Sequence, residues 1–327
     1  MSTPPPLPQA LRLRALVLRT MREFFHQRGF VEVDAPLLLP GAPVESFVEV
    51  FPVTLHTQDG IQTRYLPPSP EAALKRALAV LQADCFELGH AFRDGEEEGH
   101  QHRAHFIMPE WYRLNADYRQ IMQDTIELYR AIATALATQD IFPLPSPPVD
   151  FLGDWEIITV PQAMARYAGV EIEGEHHLPR LVQAVRDRGL GTVASWQDAF
   201  CVLLAMEVEP HLGADKPTLL TDYPAGLAMQ ARPKDSEPWL AEQFEVWVRG
   251  VELGNSYSEI TDAKLQRQRF ADESARLRAM GRNPPEPDPA YFEALERLPV
   301  RCAGGSIGLD RTLMCFFGAD HIDQVRL

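Results

Sequence analysis

Three glutamates lie seven residues apart in one stretch of the sequence, at Glu245, Glu252 and Glu259. The valines, tryptophan and glycines between them favour strands over a helix. A turn at Arg249-Gly250 would make this stretch a hairpin, in which Glu245 pairs opposite Gly254 and Glu252 lies diagonally across from Glu245 on the same face. Diagonal neighbours lie about 7–8 Å apart, a separation that a shared cation such as Mg²⁺ can bridge. The alternative is an acidic hairpin face that is simply solvated.

A second group combines a cation, a carboxylate and aromatic rings between Arg93 and Tyr112. Two strands joined by an acidic loop could place Arg93 across from Glu110, and arginine is suited to bind a phosphate through two parallel hydrogen bonds. Phe106 and Trp111 could supply a stacking surface. An ordinary hairpin with a salt bridge is the alternative. The histidines of this stretch also permit a zinc site, although no cysteine or carboxylate spacing supports one (His100, His102 and His105).

A glycine-rich junction, Gly304 to Arg311, precedes an apolar helix predicted over Thr312 to Phe317. Small residues let a ligand approach the backbone, a helix N-terminus favours an anion, and Arg311 adds a fixed positive charge. The junction lacks the Lys-Ser/Thr of a Walker A loop and the spacing of a dinucleotide fingerprint, and such turns are often only structural. Two arginines, a carboxylate pair suited to Mg²⁺ and an aromatic surface together predict binding of a nucleoside triphosphate without a P-loop.

The elements that must hold these residues are strands joined largely by hairpins, with helices grouped around them. The patterns predict helices at about 9–28, 70–81, 117–138, 263–280 and 291–298, and strands at about 30–33, 63–66, 85–93, 106–114, 218–222 and 244–260. Residues 161–212 are mostly helical in pattern and resemble an insertion. This organisation predicts an α+β fold with an antiparallel β-sheet, in one continuous domain over residues 1–327.

Composition narrows the class of protein. The 327 residues carry 31 Lys+Arg against 46 Asp+Glu, a formal net charge of −15, with 45% hydrophobic and 24% charged residues. These values exclude a disordered or fibrous chain, and the acidic balance disfavours broad capture of nucleic acid. No apolar run is long enough to span a membrane, and the first residues do not resemble a secretory signal. The four dispersed cysteines favour reduced thiols, so we expect a cytoplasmic enzyme.

The order of these segments over nearly the whole chain resembles the catalytic domain of class II aminoacyl-tRNA synthetases of the lysyl type. Within that family, the resemblance is strongest to the short paralogues that join (R)-β-lysine to elongation factor P. Arg28 to Pro36 resembles motif 1, Phe92 to Tyr112 resembles motif 2, and Gly304 to Arg311 resembles motif 3. Two further segments resemble family stretches: Ser69-Pro70-Glu71 with Lys75-Arg76, and Phe244 to Asp262.

The resemblance implies an AMP-forming ligase that converts ATP and a lysine-like amino acid into an aminoacyl-adenylate and then modifies a lysine side chain of elongation factor P. For ATP and metal, it implies Arg93 at the α-phosphate, Arg311 at the γ-phosphate and against adenine, His102 near the phosphates, Phe106 stacked on adenine, and Mg²⁺ held by Glu245 and Glu252. For the amino acid, it implies Glu110, Tyr112 and Glu259 around the side-chain ammonium, Glu71 at the backbone amine, and Asn255 and Ser306 beside the pocket. It also implies a homodimer through motif 1, at Pro36.

Several positions differ from the family pattern. Ser306 stands where the synthetases have glycine and the ligases have alanine, His105 replaces a carboxylate, and Glu96 matches only if a gap is allowed. A ligase with another amino acid or acceptor, such as a small amine or a carrier protein, is one alternative, and a non-catalytic amino-acid-binding regulator is another. Motif 1 begins at Arg28, so we expect no anticodon-binding barrel, which needs roughly 100 residues, and no anticodon recognition.

Overall fold

A large β-sheet with helices on both faces forms the centre of the protein. The computed structural model describes residues 4–44, 48–95, 99–144 and 147–327. The strands in these ranges are β1 (Val31–Glu32), β2 (Pro52–Thr57), β3 (Gly60–Tyr65), β4 (Cys85–Phe92), β5 (His105–Leu114), β6 (Glu156–Thr159), β7 (Thr218–Pro224), β8 (Leu240–Val248), β9 (Val251–Ser258) and β10 (Cys302–Ile307). Their order in the large sheet is β1-β4-β5-β10-β9-β8-β7-β6, while β2 and β3 form a separate hairpin.

The large sheet is antiparallel in its centre and parallel at both edges. The strands from β4 to β7 in sheet order pair antiparallel, whereas β1 pairs parallel with β4 and β6 pairs parallel with β7. The predicted α+β class is confirmed, and the sheet is antiparallel at its centre as predicted, although its two parallel edges make it mixed as a whole. A parallel pair requires a long crossover, and in both cases the chain passes through other elements before it returns to pair.

The helices begin and end close to the predicted positions. They are α1 (Leu7–Gln27), α2 (Glu71–Leu81), α3 (Tyr118–Thr138), α4 (Val160–Ala163), α5 (Leu181–Asp187), α6 (Trp196–Leu203), α7 (Ala263–Ala279), α8 (Pro289–Leu295) and α9 (Leu309–Phe317). The side chain of Asp117 caps α3 in a capping box with Gln120. Gly29 follows α1 with φ of 81°, the left-handed conformation that commonly ends a helix. Within the described ranges, no helix combines the length and the apolar character needed to cross a membrane.

The two faces of the sheet carry different hydrophobic clusters. Trp111 packs with α1, α3 and α9 on one face, and Tyr112 packs with α2, α7 and α8 on the other. Successive residues of a strand point to opposite faces, so these neighbours on β5 belong to different layers. Polar residues that share the face of Tyr112 line the cavity described below.

Residues between β6 and β7 are mostly helical. They include α4, a π-helical turn at Met164–Ala168, a 3₁₀ helix at Glu175–Arg180, α5 and α6. These helices pack around their own hydrophobic cluster, which includes Leu181, Val185 and Leu203 and reaches Trp247 of β8. The predicted helical stretch at about 161–212 falls in this part of the chain, and its status as an insertion stays a prediction.

The β8–β9 hairpin has the predicted turn but a different register. Arg249 and Gly250 form a two-residue connection in which both residues have positive φ, 50° and 71°, as a type I′ turn requires. The predicted pairing of Glu245 with Gly254 is wrong, because Glu245 pairs with Asn255. The register shifts by one residue near the turn, where Leu253 has no direct partner and forms a β-bulge.

Candidate active site

A cavity of about 980 Å³ opens on the face of the sheet that carries Tyr112. Eleven of the twelve site residues predicted from the sequence line it: Glu71, Arg93, His102, Phe106, Glu110, Tyr112, Glu245, Glu252, Asn255, Ser306 and Arg311. The twelfth, Glu259, is not among the lining residues, is 1% exposed, and is connected to Glu71 through Lys75. The structure therefore brings the predicted residues together, while their chemical roles stay predictions.

Arg93 and Phe106 face each other at the loop end of the β4–β5 hairpin. The guanidinium carbon of Arg93 lies 5.3 Å from the centroid of the Phe106 ring, so a cation and an aromatic surface are adjacent. The predicted placement of Arg93 across from Glu110 is wrong, because Glu110 lies opposite Glu87. In an antiparallel hairpin, two residues that pair with each other lie the same number of positions from the loop. Glu110 is therefore as far from the loop as Glu87, although it lines the same cavity as Arg93.

Arg311, near the start of α9, connects the β8–β9 hairpin to the loop after β4. Its Nη1 donates to the Glu252 carbonyl oxygen at 3.1 Å and lies 3.9 Å from Oε2 of that residue. Its Nε donates to the Gln101 carbonyl oxygen at 3.4 Å, and its Nη2 contacts Nε2 of His102. Arg311 thus holds together the three segments that the sequence marks as chemically informative.

Lys75 of α2 is completely buried, and its ammonium group lies between carboxylates. It pairs with Glu71, one turn earlier on the same helix, and with Oε2 of Glu259 at 2.5 Å. Oε2 of Glu71 also accepts a hydrogen bond from Nε2 of Gln230 at 3.0 Å. The hydroxyl of Tyr291 donates to Oε1 of Gln230 at 2.9 Å. The buried part of the site is therefore an ion-pair network supported by neutral donors.

Glu110 and Tyr112 lie two residues apart on β5 and point to the same face. The hydroxyl of Tyr112 donates to Oε1 of Glu110 at 2.6 Å, while Oε2 is buried with no hydrogen-bond partner in the described part of the chain. Gly304 on the adjacent strand makes room for the tyrosine, because a Cβ there would lie 2.5 Å from Cδ1 of the ring. A buried carboxylate oxygen without a donor costs free energy, which an incoming ammonium group could recover.

Burial and like charges raise the pKa values of the acids in this region. Burial, followed by the charge of Glu71, raises the pKa of Glu110 well above its ordinary value. Burial also raises the pKa of Glu259 to about 8, although the adjacent Lys75 opposes the rise. Burial alone would lower the pKa of Lys75, but the charges of Glu259 and Glu71 outweigh it and raise that pKa well above its ordinary value. The region by itself therefore favours protonated carboxyl groups, and a bound cation would favour their ionised form.

Glu245 and Glu252 lie on the same face of the β8–β9 hairpin, which agrees with the sequence prediction. Glu252 pairs with Trp247, which is two residues from Glu245 and shares its face. Glu245 accepts hydrogen bonds from the hydroxyl of Tyr223 and from Nε1 of Trp247 at 3.1 Å. Burial and the charge of Glu252 raise the pKa of Glu245 well above its ordinary value. This mutual repulsion is what a shared divalent cation would relieve.

Asn255 and Ser306 pair across β9 and β10. The Ser306 hydroxyl donates to the Asn255 carbonyl oxygen at 3.1 Å, and Oδ1 of Asn255 accepts from Nε2 of Gln243 at 3.2 Å. Both side chains are half-buried at the wall of the cavity. Their hydrogen bonds fix their orientation, so each presents a defined polar group to a ligand.

The histidines that permit a zinc site are dispersed. Nε2 of His105 lies 2.8 Å from Nδ1 of His90, His100 packs edge-on against His321 at 5.1 Å, and His102 contacts the arginine on α9. Across the described ranges there is no group of three or more His, Cys, Asp or Glu side chains that could hold a metal ion. The zinc alternative finds no support in that part of the chain.

Sequence reasoning assigns no role to Lys75, Tyr223 or Gln230. The position of Lys75 four residues after Glu71 on a predicted helix was the available signal for that ion pair. Tyr223 lies one residue past the predicted strand, at an irregularity in β7 where the preceding residue has φ of 64°, and Gln230 lies outside any periodic pattern. Glu96, which matches the family pattern only with a gap, lies outside the described residues.

Comparison with known proteins identifies relatives over almost the whole chain. A family model of class II tRNA synthetases (D, K and N) matches residues 3–327. An elongation factor P–(R)-β-lysine ligase of Vibrio vulnificus is 30% identical over 334 residues, which cover 97% of this chain and 94% of that protein. A ligase of the same name from Photorhabdus laumondii is 32% identical over 319 residues, which cover 95% of this chain and 92% of that protein. A lysine–tRNA ligase of Roseiflexus castenholzii is 32% identical over 328 residues, which cover 99% of this chain and 65% of that enzyme.

Proposed function

Because this chain belongs to the class II tRNA synthetases (D, K and N), we propose that it activates lysine or (R)-β-lysine with ATP and transfers it to a lysine side chain of elongation factor P. The observation that carries the proposal is a group of three buried carboxylates at one cavity: Glu71, Glu110 and Glu259. Glu71 and Glu110 line this cavity together with Arg93. Buried carboxylates require cationic partners, and arginine is suited to phosphate. The site thus has one region for an amino acid with ammonium groups and another for ATP.

The amino acid would bind in the region around Glu110. Glu110, Tyr112 and Glu259 would hold its side-chain ammonium group, and Glu71 would hold its backbone amine. The buried Oε2 of Glu110, which no hydrogen-bond donor of the described residues satisfies, supports this assignment. Asn255 and Ser306 line the same cavity and would contact the remainder of the ligand.

ATP would bind between the loop after β4 and the start of α9. Arg93 would hold the α-phosphate, Arg311 the γ-phosphate, and His102 would lie near the phosphates. Phe106 would stack on adenine, with Arg311 on the other face of the base. The adjacency of Arg93 and Phe106, at 5.3 Å, supports a site in which a planar base and a phosphate group meet.

Glu245 and Glu252 would hold Mg²⁺. Carboxylate oxygens are ligands that Mg²⁺ prefers, both residues line the cavity, and the charge of Glu252 together with burial raises the pKa of Glu245. A cation would offset that unfavourable interaction, so the residues present fit the ion. When bound, Mg²⁺ would neutralise negative charge on the phosphate oxygens.

The reaction has two steps. A carboxylate oxygen of the amino acid attacks the α-phosphorus of ATP, and pyrophosphate leaves; Arg93 would stabilise the charge that develops on the α-phosphate. The neutral amine of the acceptor lysine then attacks the adenylate carbonyl, AMP leaves, and the new amide nitrogen loses a proton. No covalent intermediate with the enzyme itself is required. The thiol of Cys85 is unsuited to attack because burial raises its pKa to about 12.

The choice of acceptor follows the relatives. The proteins named as elongation factor P–(R)-β-lysine ligases in Vibrio vulnificus and Photorhabdus laumondii resemble this chain over 97% and 95% of its length. The net charge of −15 also gives this chain little electrostatic attraction for tRNA. Elongation factor P is therefore the favoured acceptor.

The family also suggests how the chain is organised in the cell. We propose one catalytic domain over residues 1–327 with a helical insertion at about 161–212, acting in the cytoplasm as a homodimer through motif 1. Three apolar side chains near Pro36 support the dimer, because each is about 40% exposed: Val31 at 39%, Leu37 at 41% and Leu38 at 41%. An apolar patch of this kind is typical of a surface that another subunit covers.

Amino-acid-dependent exchange of pyrophosphate into ATP tests the activation step. A panel containing lysine, (R)-β-lysine and norleucine should show exchange with the first two, and Arg93→Ala or Glu252→Ala should reduce exchange at least about 100-fold, as for loss of a group that stabilises the transition state. Arg166→Ala is the matched control, because the Arg166 side chain is 52% exposed and pairs with Glu156. Exchange within threefold of wild type in both site variants would refute the site assignment.

Mass spectrometry of elongation factor P tests the acceptor. After incubation with the enzyme, ATP and the best amino acid of the panel, the factor should gain the mass of one amino-acid residue on a lysine. An enzyme that forms adenylate but leaves the factor unmodified would reject this acceptor and favour a small amine or a carrier protein.

A further inference from the structure

Lys75 is a buried cation in a pocket that would itself bind a cationic ligand. Its side chain is completely buried, and it pairs with Glu71 and Glu259. Its Nζ lies 5.6–5.8 Å from the centroids of three tyrosine rings, those of Tyr112, Tyr257 and Tyr291. The side chain therefore lies behind the wall of the cavity, in contact with two of the carboxylates assigned to the ligand.

Stability alone is a poor explanation for this arrangement. Replacement of a buried ion pair by well-packed apolar residues is often neutral or stabilising, so a buried pair indicates a demand for specific geometry or charge. Position 75 lies in a helix whose other buried positions include Leu74 and Leu78, so an apolar residue would fit the local pattern. A lysine there places a fixed positive charge beside a binding region.

The net charge of the ionised side chains in this region matches the number of ammonium groups in one class of ligand. Glu71, Glu110 and Glu259 contribute three negative charges when ionised, and Lys75 contributes one positive charge. The remainder is two negative charges, which match the two ammonium groups of a diamino acid, because the proposed reaction directs the ligand's own carboxylate away from these residues, to ATP near Arg93. An amino acid with one ammonium group would leave a buried carboxylate unpaired, which is costly in a low-dielectric region.

We propose that Lys75 is a positioning residue of the amino-acid site, which holds the Glu71 and Glu259 carboxylates in place and cancels one negative charge so that the site selects diamino acids. Lys75 occupies one oxygen of each carboxylate, Oε1 of Glu71 and Oε2 of Glu259. Oε1 of Glu259 is buried without a hydrogen-bond partner in the described ranges, so Lys75 leaves one oxygen of that carboxylate without a donor. This inference rests on the proposed function and adds a residue to its specificity.

Lys75→Met tests the inference in the pyrophosphate exchange assay. Removal of one partner of a buried charge pair should raise the KM for lysine at least about 30-fold. The KM for ATP and the kcat at saturating lysine should stay within threefold of wild type, because Lys75 is not among the residues that line the cavity near Arg93. Arg76→Met is the matched control: Arg76 is the next residue on α2, pairs with Asp288 at 3.2 Å, and is 42% exposed. Its KM values should be unchanged.

Each outcome has a defined meaning. If Lys75→Met does not fold, Lys75→Gln, which keeps hydrogen-bond donors without the charge, should fold and show the same rise in the KM for lysine. A KM for lysine within threefold of wild type, an equal rise for ATP and lysine, or failure of both variants to fold would overturn the inference in favour of a structural role. Wild-type protein that shows no exchange with any diamino acid would instead overturn the proposed function, and this inference with it.

Discussion

Glu110→Gln separates the role of the buried carboxylate in binding from its effect on stability. Glu110 is 4% exposed, accepts a hydrogen bond from Tyr112 at 2.6 Å, and has a second oxygen without a hydrogen-bond partner among the described residues. Glutamine has the same shape, and its Oε1 can still accept from the tyrosine hydroxyl. The substitution therefore removes the carboxyl that can ionise when a cationic ligand binds, while it leaves the packing and one hydrogen bond in place.

Binding and stability should change in opposite directions. Loss of one partner of a buried hydrogen-bonded charge pair costs about 2–5 kcal/mol, so the KM for lysine should rise roughly 30-fold to 1,000-fold or more. Burial and the charge of Glu71 raise the pKa of Glu110 well above its ordinary value, so the folded protein retains a proton that the unfolded chain loses as the pH rises. Wild-type stability should therefore fall by up to about 1.4 kcal/mol per pH unit above that ordinary value, and glutamine removes this loss.

Two measurements check the reasoning. Pyrophosphate exchange gives the KM for lysine and for ATP, and urea unfolding at pH 5 and pH 8 gives the free energy of unfolding. Glu87→Gln is the matched control, because Glu87 lies directly opposite on β4, is buried, and has a pKa raised to about 6, chiefly by burial. It should change the pH dependence of stability but not the KM for lysine. A Glu110→Gln variant that binds lysine normally, or that is less stable than wild type at pH 8, would refute the argument.

Three further substitutions test single contacts. Gly304→Ala should displace the adjacent tyrosine ring by roughly 1 Å, cost about 1–3 kcal/mol in urea unfolding and raise the KM for the amino acid about tenfold. Tyr223→Phe removes the hydroxyl that donates to Glu245, so the free energy of unfolding should fall by about 1–3 kcal/mol at pH 8 and by less at pH 5, where more of that carboxyl is protonated. Asp323→Asn breaks the 2.6 Å pair with Arg103 that anchors the loop after β4. Because the Asp323 side chain is 60% exposed, the KM for ATP should rise less than about fivefold.

Each of these tests has a contrary result. Gly308→Ala is the control for the stability of Gly304→Ala, because a Cβ at position 308 meets its nearest neighbour at an ordinary 3.9 Å, and equal losses of stability in the two would contradict the steric argument. An equal loss of stability at both pH values would show that the Tyr223 hydroxyl does not act through Glu245. A large rise in the KM for ATP in Asp323→Asn would show that the loop depends on the pair more than its exposure indicates.

Elements with a strong local pattern could be predicted from the sequence almost to the residue. The prediction of a helix at 117–138 matches α3 at Tyr118–Thr138, because the capping residues Asp117 and Gln120 mark its start. The parallel edges of the sheet could not be predicted in this way. Alternation within a strand such as β6 shows which side chains share a face, but it carries no information about which distant strand becomes its neighbour.

The candidate site, like the fold, could be predicted from the sequence only in part. Family motifs identify the residues that line the cavity, yet the motifs do not show that Lys75 joins Glu71 to Glu259, since that ion pair depends on the packing of α2 against the end of β9. The placement of Arg93 across from Glu110 failed for a related reason: the register depends on where the hairpin loop begins and ends, which an acidic, irregular segment does not reveal.

The position of Asn255 beside the hairpin carboxylates depends on a residue that alternation cannot reveal. In an unbroken strand, Glu252 and Asn255 would face opposite sides, because they are three residues apart. The bulge at Leu253 adds one residue between them, so both line the cavity. The two-residue turn alone would put Glu252 on the face of Glu245, but it would direct Asn255 away from that face. The turn therefore places the carboxylate pair, and the bulge adds the amide beside it, so a metal site and an amino-acid pocket can share one strand.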